Sequence, residues 1–147
     1  MKKIAVVFIA LAMVFSFSMA YAADARVPQS LQAQYAAETG AQASFYIWFP
    51  VAPELASYAW TNILILSNFN NNPITVGCWF TSLSRVQTYK TFELGKFEKM
   101  IAGLPSLVGN ADDVYDIFCM SSNMFGAALL LMEGGNISTA WPPVVFY

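Results

Sequence analysis

Ile74, Val76, Cys78 and Phe80 alternate without a break with Thr75, Gly77, Trp79 and Thr81. A period of two places the first four side chains on one face of an extended strand and the other four on the opposite face. A helix cannot carry that pattern, so the middle of the chain is committed to β-sheet. Runs of similar texture flank it. Phe45-Tyr46-Ile47-Trp48-Phe49 is aromatic and β-branched, and Pro50 and Pro53 are expected to end it. Trp60 to Phe69 contains Ile63-Leu64-Ile65-Leu66, apolar toward both faces, which predicts a central strand covered on both sides. Asn70-Asn71-Asn72-Pro73 tolerates turn geometry, and the runs on either side of it are expected to pair as an antiparallel hairpin.

The remaining runs are shorter signals. Val86 to Leu94 alternates but is more polar, and Lys90 suits an edge strand. Between Lys96 and Leu107, Gly95, Gly103 and Pro105 keep any element short, and a short strand followed by a loop is expected. Val114 to Met120 places Tyr115, Ile117 and Cys119 on one face, while Phe125 to Met132 is continuously apolar and therefore interior. Ser121-Ser122-Asn123 reads as a hairpin loop between them. Pro142-Pro143 interrupts the last segment, Thr139 to Tyr147, and assigns it to a sheet edge, because proline donates no ladder hydrogen bond. Short strands, regular turn signals and no long helix predict an all-β chain, an antiparallel immunoglobulin-like β-sandwich of about seven strands over residues 44–147.

The N-terminus carries a different message. Lys2 and Lys3 precede an apolar run from Ile4 to Met19, which ends in Ala20-Tyr21-Ala22. A charged start, an apolar middle and small residues at the −3 and −1 positions form a cleaved secretory signal over residues 1–22. The run is short for a bilayer span, which needs ~20 residues. Export to the periplasm, cell surface or medium is expected, with the mature chain starting near Ala23. Residues 23–43 are Ala- and Gln-rich and read as a lead that is either flexible or a short helix opened by Pro28 and closed by Gly40.

Composition excludes several function classes. The mature segment holds five basic and nine acidic side chains, a net charge of −4, with no Lys/Arg cluster, so nucleic acid is not expected as a partner. The chain has no histidine. That removes Ser-His-Asp and Cys-His machinery and His-ligated zinc, and neither catalysis nor a cofactor is expected. Membrane contact is expected only through an uncleaved leader. Cys78 and Cys119 are the only cysteines, and in an oxidising compartment they read as a disulfide. Each lies on the apolar face of its own strand, where two facing layers would bring the sulfurs together.

Trp60 to Phe69, followed by Asn72-Pro73-Ile74-Thr75-Val76, resembles the opening hairpin of many secreted immunoglobulin-like sandwiches, in which a strand ending in Ser-Asn turns into a Pro-Ile-Thr-Val strand. The resemblance implies the fold and no activity. Gly134 and the penultimate Phe146 resemble the terminal pattern of pilus subunits assembled by donor-strand exchange, from which Pro142, Pro143 and the cysteine positions depart.

Candidate contact residues are aromatic. Alternation puts Trp79 opposite Cys78, either as a surface ring for glycans or apolar partners or beneath a second layer. Trp141, Phe146 and Tyr147 belong to a C-terminus that is apolar to its last residue, which points to docking on its own domain or on another subunit. Asp112, Asp113 and Asp116 form an acidic turn, read as solvated rather than as a calcium site because it lacks the alternating ligand rhythm of calcium loops. An apolar, non-catalytic exported module is expected to act through a protein partner or a homo-oligomer. Binding of ligands or glycans through aromatics is the alternative reading.

Overall fold

The computed structural model describes residues 27–55, 59–109 and 112–146. The leader at 1–22, Tyr147 and the side chain of Phe146 lie outside the described residues. The chain divides into two compact units, Met1–Leu31 and Gln32–Tyr147, and the second holds every strand. Helix α1 spans Gln29–Thr39, directly after Pro28. Gly40 closes it in the left-handed region at φ 70°, where glycine meets no Cβ penalty, and its N–H donates to the Ala36 carbonyl at 2.9 Å.

Nine antiparallel strands follow: β1 (Phe45–Leu55), β2 (Trp60–Asn68), β3 (Ile74–Ser82), β4 (Gln87–Leu94), β5 (Lys99–Gly103), β6 (Asp112–Ser121), β7 (Phe125–Glu133), β8 (Asn136–Trp141) and β9 (Val144–Phe146). A short helix, α2 (Leu104–Val108), sits between β5 and β6. The strands form one hydrogen-bonded sheet along the path β4-β3-β6-β1-β2-β7-β8, with β5 on β2 and β9 on β1. The protein is therefore a mostly antiparallel β-sheet, as the alternation predicts. Strands β1 and β2 share only the pair Leu55↔Trp60. Two strand groups, β4-β3-β6-β1-β9 and β5-β2-β7-β8, thus meet at one corner, and one buried cluster draws on both. Ile47, Phe49, Cys78 and Ile117 join Leu64, Leu66 and Leu129 in it.

Several local expectations are corrected. The runs on either side of the Asn-rich loop do not pair: β2 takes β5 and β7, and β3 takes β4 and β6. Asn68 explains the crossing. Its Nδ2 donates to the carbonyls of Asn72 and Gly95, each at 2.8 Å, so the loop is tied to the β4–β5 turn and not folded back on its own strand. Likewise β6 and β7 form no hairpin. The Ser121 hydroxyl donates to the Thr75 carbonyl at 2.8 Å, and the Ser122 N–H to the Tyr35 hydroxyl at 3.1 Å, anchoring the end of β6 to β3 and α1.

Pro50 and Pro53 do not end β1. A register shift against β6 between Phe49 and Ala52 absorbs the first, and along this stretch β6 alone pairs with β1. The segment after β5 is a helical turn where a loop is expected. Gly103 caps it, Pro105 sits in its first turn, and Gly109 ends it at φ 72°, so that Leu104 and Leu107 both reach the core. The cysteines meet side by side rather than across two layers: Cys78 and Cys119 are directly opposite on neighbouring β3 and β6, with Sγ–Sγ 2.04 Å and Cα–Cα 4.1 Å.

Candidate functional site

Trp79 lies on the face of β3 turned away from the core, as alternation requires, yet it is only 1% exposed. Helix α1 supplies the missing layer. The Trp79 indole N–H donates to the Gln34 side-chain oxygen at 2.8 Å, and its ring stacks at 4.3 Å on Tyr89. The Tyr35 hydroxyl reaches the Thr75 carbonyl at 3.1 Å. Gly77 permits this closeness: a Cβ there would stand 2.6 Å from the Tyr89 hydroxyl oxygen and 2.8 Å from the Tyr35 ring. Of the two placements that alternation left open for Trp79, the ring takes the one beneath a second layer, which strand periodicity could not decide because the cover is a distant helix.

Trp141 is half-buried against the core, and its indole N–H donates to Asn62 Oδ1 at 3.2 Å. Asn62 is itself buried. Its backbone N–H donates to the buried Glu54 carboxylate at 2.7 Å, and its side-chain amide to the Pro53 carbonyl. This aromatic holds β8 to its own domain. Phe146 pairs through its backbone with Tyr46 in the β9–β1 ladder, and Tyr147 lies outside the described residues.

The acidic residues are dispersed among separate partners. Asp113 accepts from the Val114 N–H at 2.7 Å, the Ser84 hydroxyl at 2.9 Å and the Leu83 N–H at 3.3 Å. Those donors, Val114 first, hold its carboxyl below the ordinary range. Asp116 takes the Trp48 indole N–H, but burial outweighs that bond and pushes its carboxyl upward. Asp112 stands opposite Leu55 in the β1–β6 register. Among the described residues, no three His, Cys, Asp or Glu side chains converge in a way that could hold a metal ion.

A different place stands out. Where β1 begins and β7 begins, a cleft of about 370 Å³ opens between Phe45, Tyr46 and Ile47 of β1, Phe125, Gly126 and Ala127 of β7, and the flanking Phe69, Met124, Pro143 and Val145. It arises because β8 pairs with β7 only from Leu129 onward, after which Pro142-Pro143 carries the chain across to β1 as β9. Phe69 lies on the bare backbone of Gly126, where a Cβ would come within 2.6 Å of its ring. The Asn70 side-chain amide donates to the Met124 carbonyl at 2.6 Å and ties the two loops together.

Phe69, Met124 and Val145 remain 56%, 51% and 45% exposed at the rim. The polar side-chain group of the lining, the Tyr46 hydroxyl, is engaged with the Ala43 carbonyl at 2.7 Å, and burial raises its pKa. The lining offers no carboxylate, amine or thiol. Such a lining suits apolar contact. Sequence reasoning passes over Phe69 and Met124 as contact residues; the signal available was a large apolar residue bordering each of two separate Asn-containing loops.

Comparison with known proteins adds the fold and nothing finer. No family model matches the chain, and no curated protein does. Among solved structures, the crystal structure of Thermotoga maritima 1070 is similar to it, with TM-score 0.55 and 12% identity over 70% of this chain and 90% of that one. At that identity the likeness is one of architecture.

Proposed function

We propose that this chain is an exported, non-catalytic β-sheet protein that serves as a structural or protein-interaction module of the cell envelope, in the periplasm or at the cell surface. The observation that carries the reading is the apolar cleft with Phe69, Met124 and Val145 standing exposed around it. Side chains of this kind gain from being covered, at roughly 25 cal/mol per Å² of apolar area removed from water. Export is supported by the leader-like N-terminus and by the bridged cysteines, which fit an oxidising compartment. In this reading the sheet bends at the Leu55–Trp60 corner into two facing layers, an immunoglobulin-like sandwich. The single shared pair at that corner and the common core support the bend. The glycan-binding alternative rests on Trp79, and its burial leaves that alternative without its principal residue.

The test is a photo-crosslinking amino acid at position 69, introduced into the chain while it is exported by its host. Covalent capture of a protein, either another copy or a different chain, is the expected result. Capture of no protein from position 69 or from position 145 would reject the reading.

A further inference from the structure

The face of β3 that turns away from the core continues across its neighbours. Trp79 stands opposite Tyr89 on β4 and Phe118 on β6, and Phe118 stands opposite Trp48 on β1. Residues directly opposite share a face, so these four rings form one row across the sheet. Helix α1 covers the Trp79 end, and beyond it Phe118 and Trp48 are half-buried. Tyr46, two residues before Trp48, adds a ring 6.2 Å from Phe118. Asp116 lies beside this row, opposite Thr81. Its Oδ1 accepts the Trp48 indole N–H, while its Oδ2 accepts from no described residue and stays open to solvent.

Burial and the Trp48 bond are what act on this carboxyl, burial being the larger. A carboxylate drawn partly out of water without a cation is costly, and a cation brought by a partner returns that cost. The other charged side chains of the face are acidic as well. Glu93 stands opposite Thr75, Asp112 alternates onto the face of Asp116, and Glu38 of α1 lies near Tyr89. The basic residues lie elsewhere. Lys90 is opposite Cys78 and so on the other face, Lys99 pairs with β2, Lys96 is in the β4–β5 turn, and Arg85 is in the β3–β4 turn at the end of the sheet.

We infer that this face docks a basic segment of a different protein, with an arginine of that partner laid against Trp48 and Phe118 and its guanidinium on Asp116. This rests on the interaction reading above and names the partner's chemistry. Arginine meets both demands of the site, because a planar, weakly hydrated guanidinium stacks on aromatic rings and presents N–H donors in a fixed fork to a carboxylate. A second copy is the poorer occupant, since mature chains of net charge −4 repel one another.

The experiment titrates the isotope-labelled, oxidised mature chain from residue 23 with N-acetyl-arginine amide and follows the four indole N–H signals by NMR. The Trp48 signal, assigned by its loss in Trp48→Phe, is expected to move to saturation while the buried Trp79 signal stays. N-acetyl-lysine amide, of equal charge, should bind roughly two- to fivefold more weakly, which is the share of ring stacking. Asp116→Asn should weaken the arginine probe about tenfold. Glu93→Gln, the same change of charge further along the face, should leave its binding nearly unchanged, and native spectra of both variants show them folded. A Trp48 signal that the arginine probe does not move would overturn the inference, as would equal binding of the lysine probe or by Asp116→Asn. So would a Trp48 signal that shifts with protein concentration alone, which makes a second copy the occupant. In the host, a photo-crosslinking residue at position 81 should join a peptide of another protein that carries arginine within a few residues of the link. No capture there, or a captured peptide without arginine, rejects the partner. If position 69 captures a protein while the arginine probe leaves Trp48 unmoved, the interaction reading stands and this partner chemistry is wrong.

Discussion

Gly77 is where the packing beyond β3 is decided. Without a side chain there, Tyr89 and Tyr35 close onto the strand over it, and the Tyr89 hydroxyl is buried with no hydrogen-bond partner. Burial, with Glu38 and Tyr35 nearby, pushes that hydroxyl's pKa up to about 12. Gly77→Ala is expected to cost roughly 1–3 kcal/mol through overpacking. Tyr89→Phe, which deletes the orphaned hydroxyl, is expected to stabilise by about 1 kcal/mol. In the Tyr89→Phe background the alanine should cost less, so urea unfolding of the two single variants and the double should give clearly non-additive changes.

Two aspartates on β6 make opposite contributions as pH changes. The carboxyl of Asp116 is raised by burial, so its contribution to stability is full below the unfolded value of about 4 and is lost as pH rises through the higher folded one. Asp113 is lowered, so its contribution is present above that value and lost on acidification through the folded one. Asp116→Asn keeps an acceptor for the Trp48 indole and cannot ionise. Thermal melts should find it more stable than wild type by a few degrees at pH 7, with the gap closing near pH 3. Asp113→Asn should instead be less stable at pH 7 and approach wild type in acid.

At the scale of elements, the β3–β6 pair is the tie that the cysteines reinforce. Cys78 and Cys119, both buried and 41 residues apart in sequence, enclose β4, β5 and α2 in one covalent loop. On the chain-entropy account, closing a loop of that length is worth about 4 kcal/mol. The Cys78→Ala, Cys119→Ala double variant should therefore lose up to that amount in denaturant unfolding, with secondary structure retained at low denaturant. The pairing of these cysteines was legible from alternation and compartment. Their lateral geometry was not, because alternation says which face a side chain takes and not which strand stands beside it. The same gap explains the two hairpins that did not form. Asn68 and Ser121 redirect the chain through bonds to Gly95 and Thr75, partners more than twenty residues away.

Across the whole molecule, charge thins toward the C-terminus. Between Ile117 and Tyr147 the chain carries one charged side chain, Glu133, so this last stretch contributes β7, β8 and β9 and little that repels a neighbour. Edge strand β4 carries Lys90 and edge strand β5 carries Lys99, which blunts them against pairing, while β8 is interrupted by a register shift and followed by Pro142-Pro143. Edge-to-edge pairing at these strands is thereby discouraged.

Local rules of the chain were sufficient for the all-β class of fold, for most of the strand positions and for the partnership of the two sulfurs, and they left open whether the stretch between Pro28 and Gly40 is helical or flexible. Each depends on periodicity or on the conformational limits of single residues. Packing alone determined that Trp79 is buried and that Phe69 rests on Gly126. Those outcomes depend on which distant segments become neighbours, and neighbours are chosen by the burial of the whole chain at once.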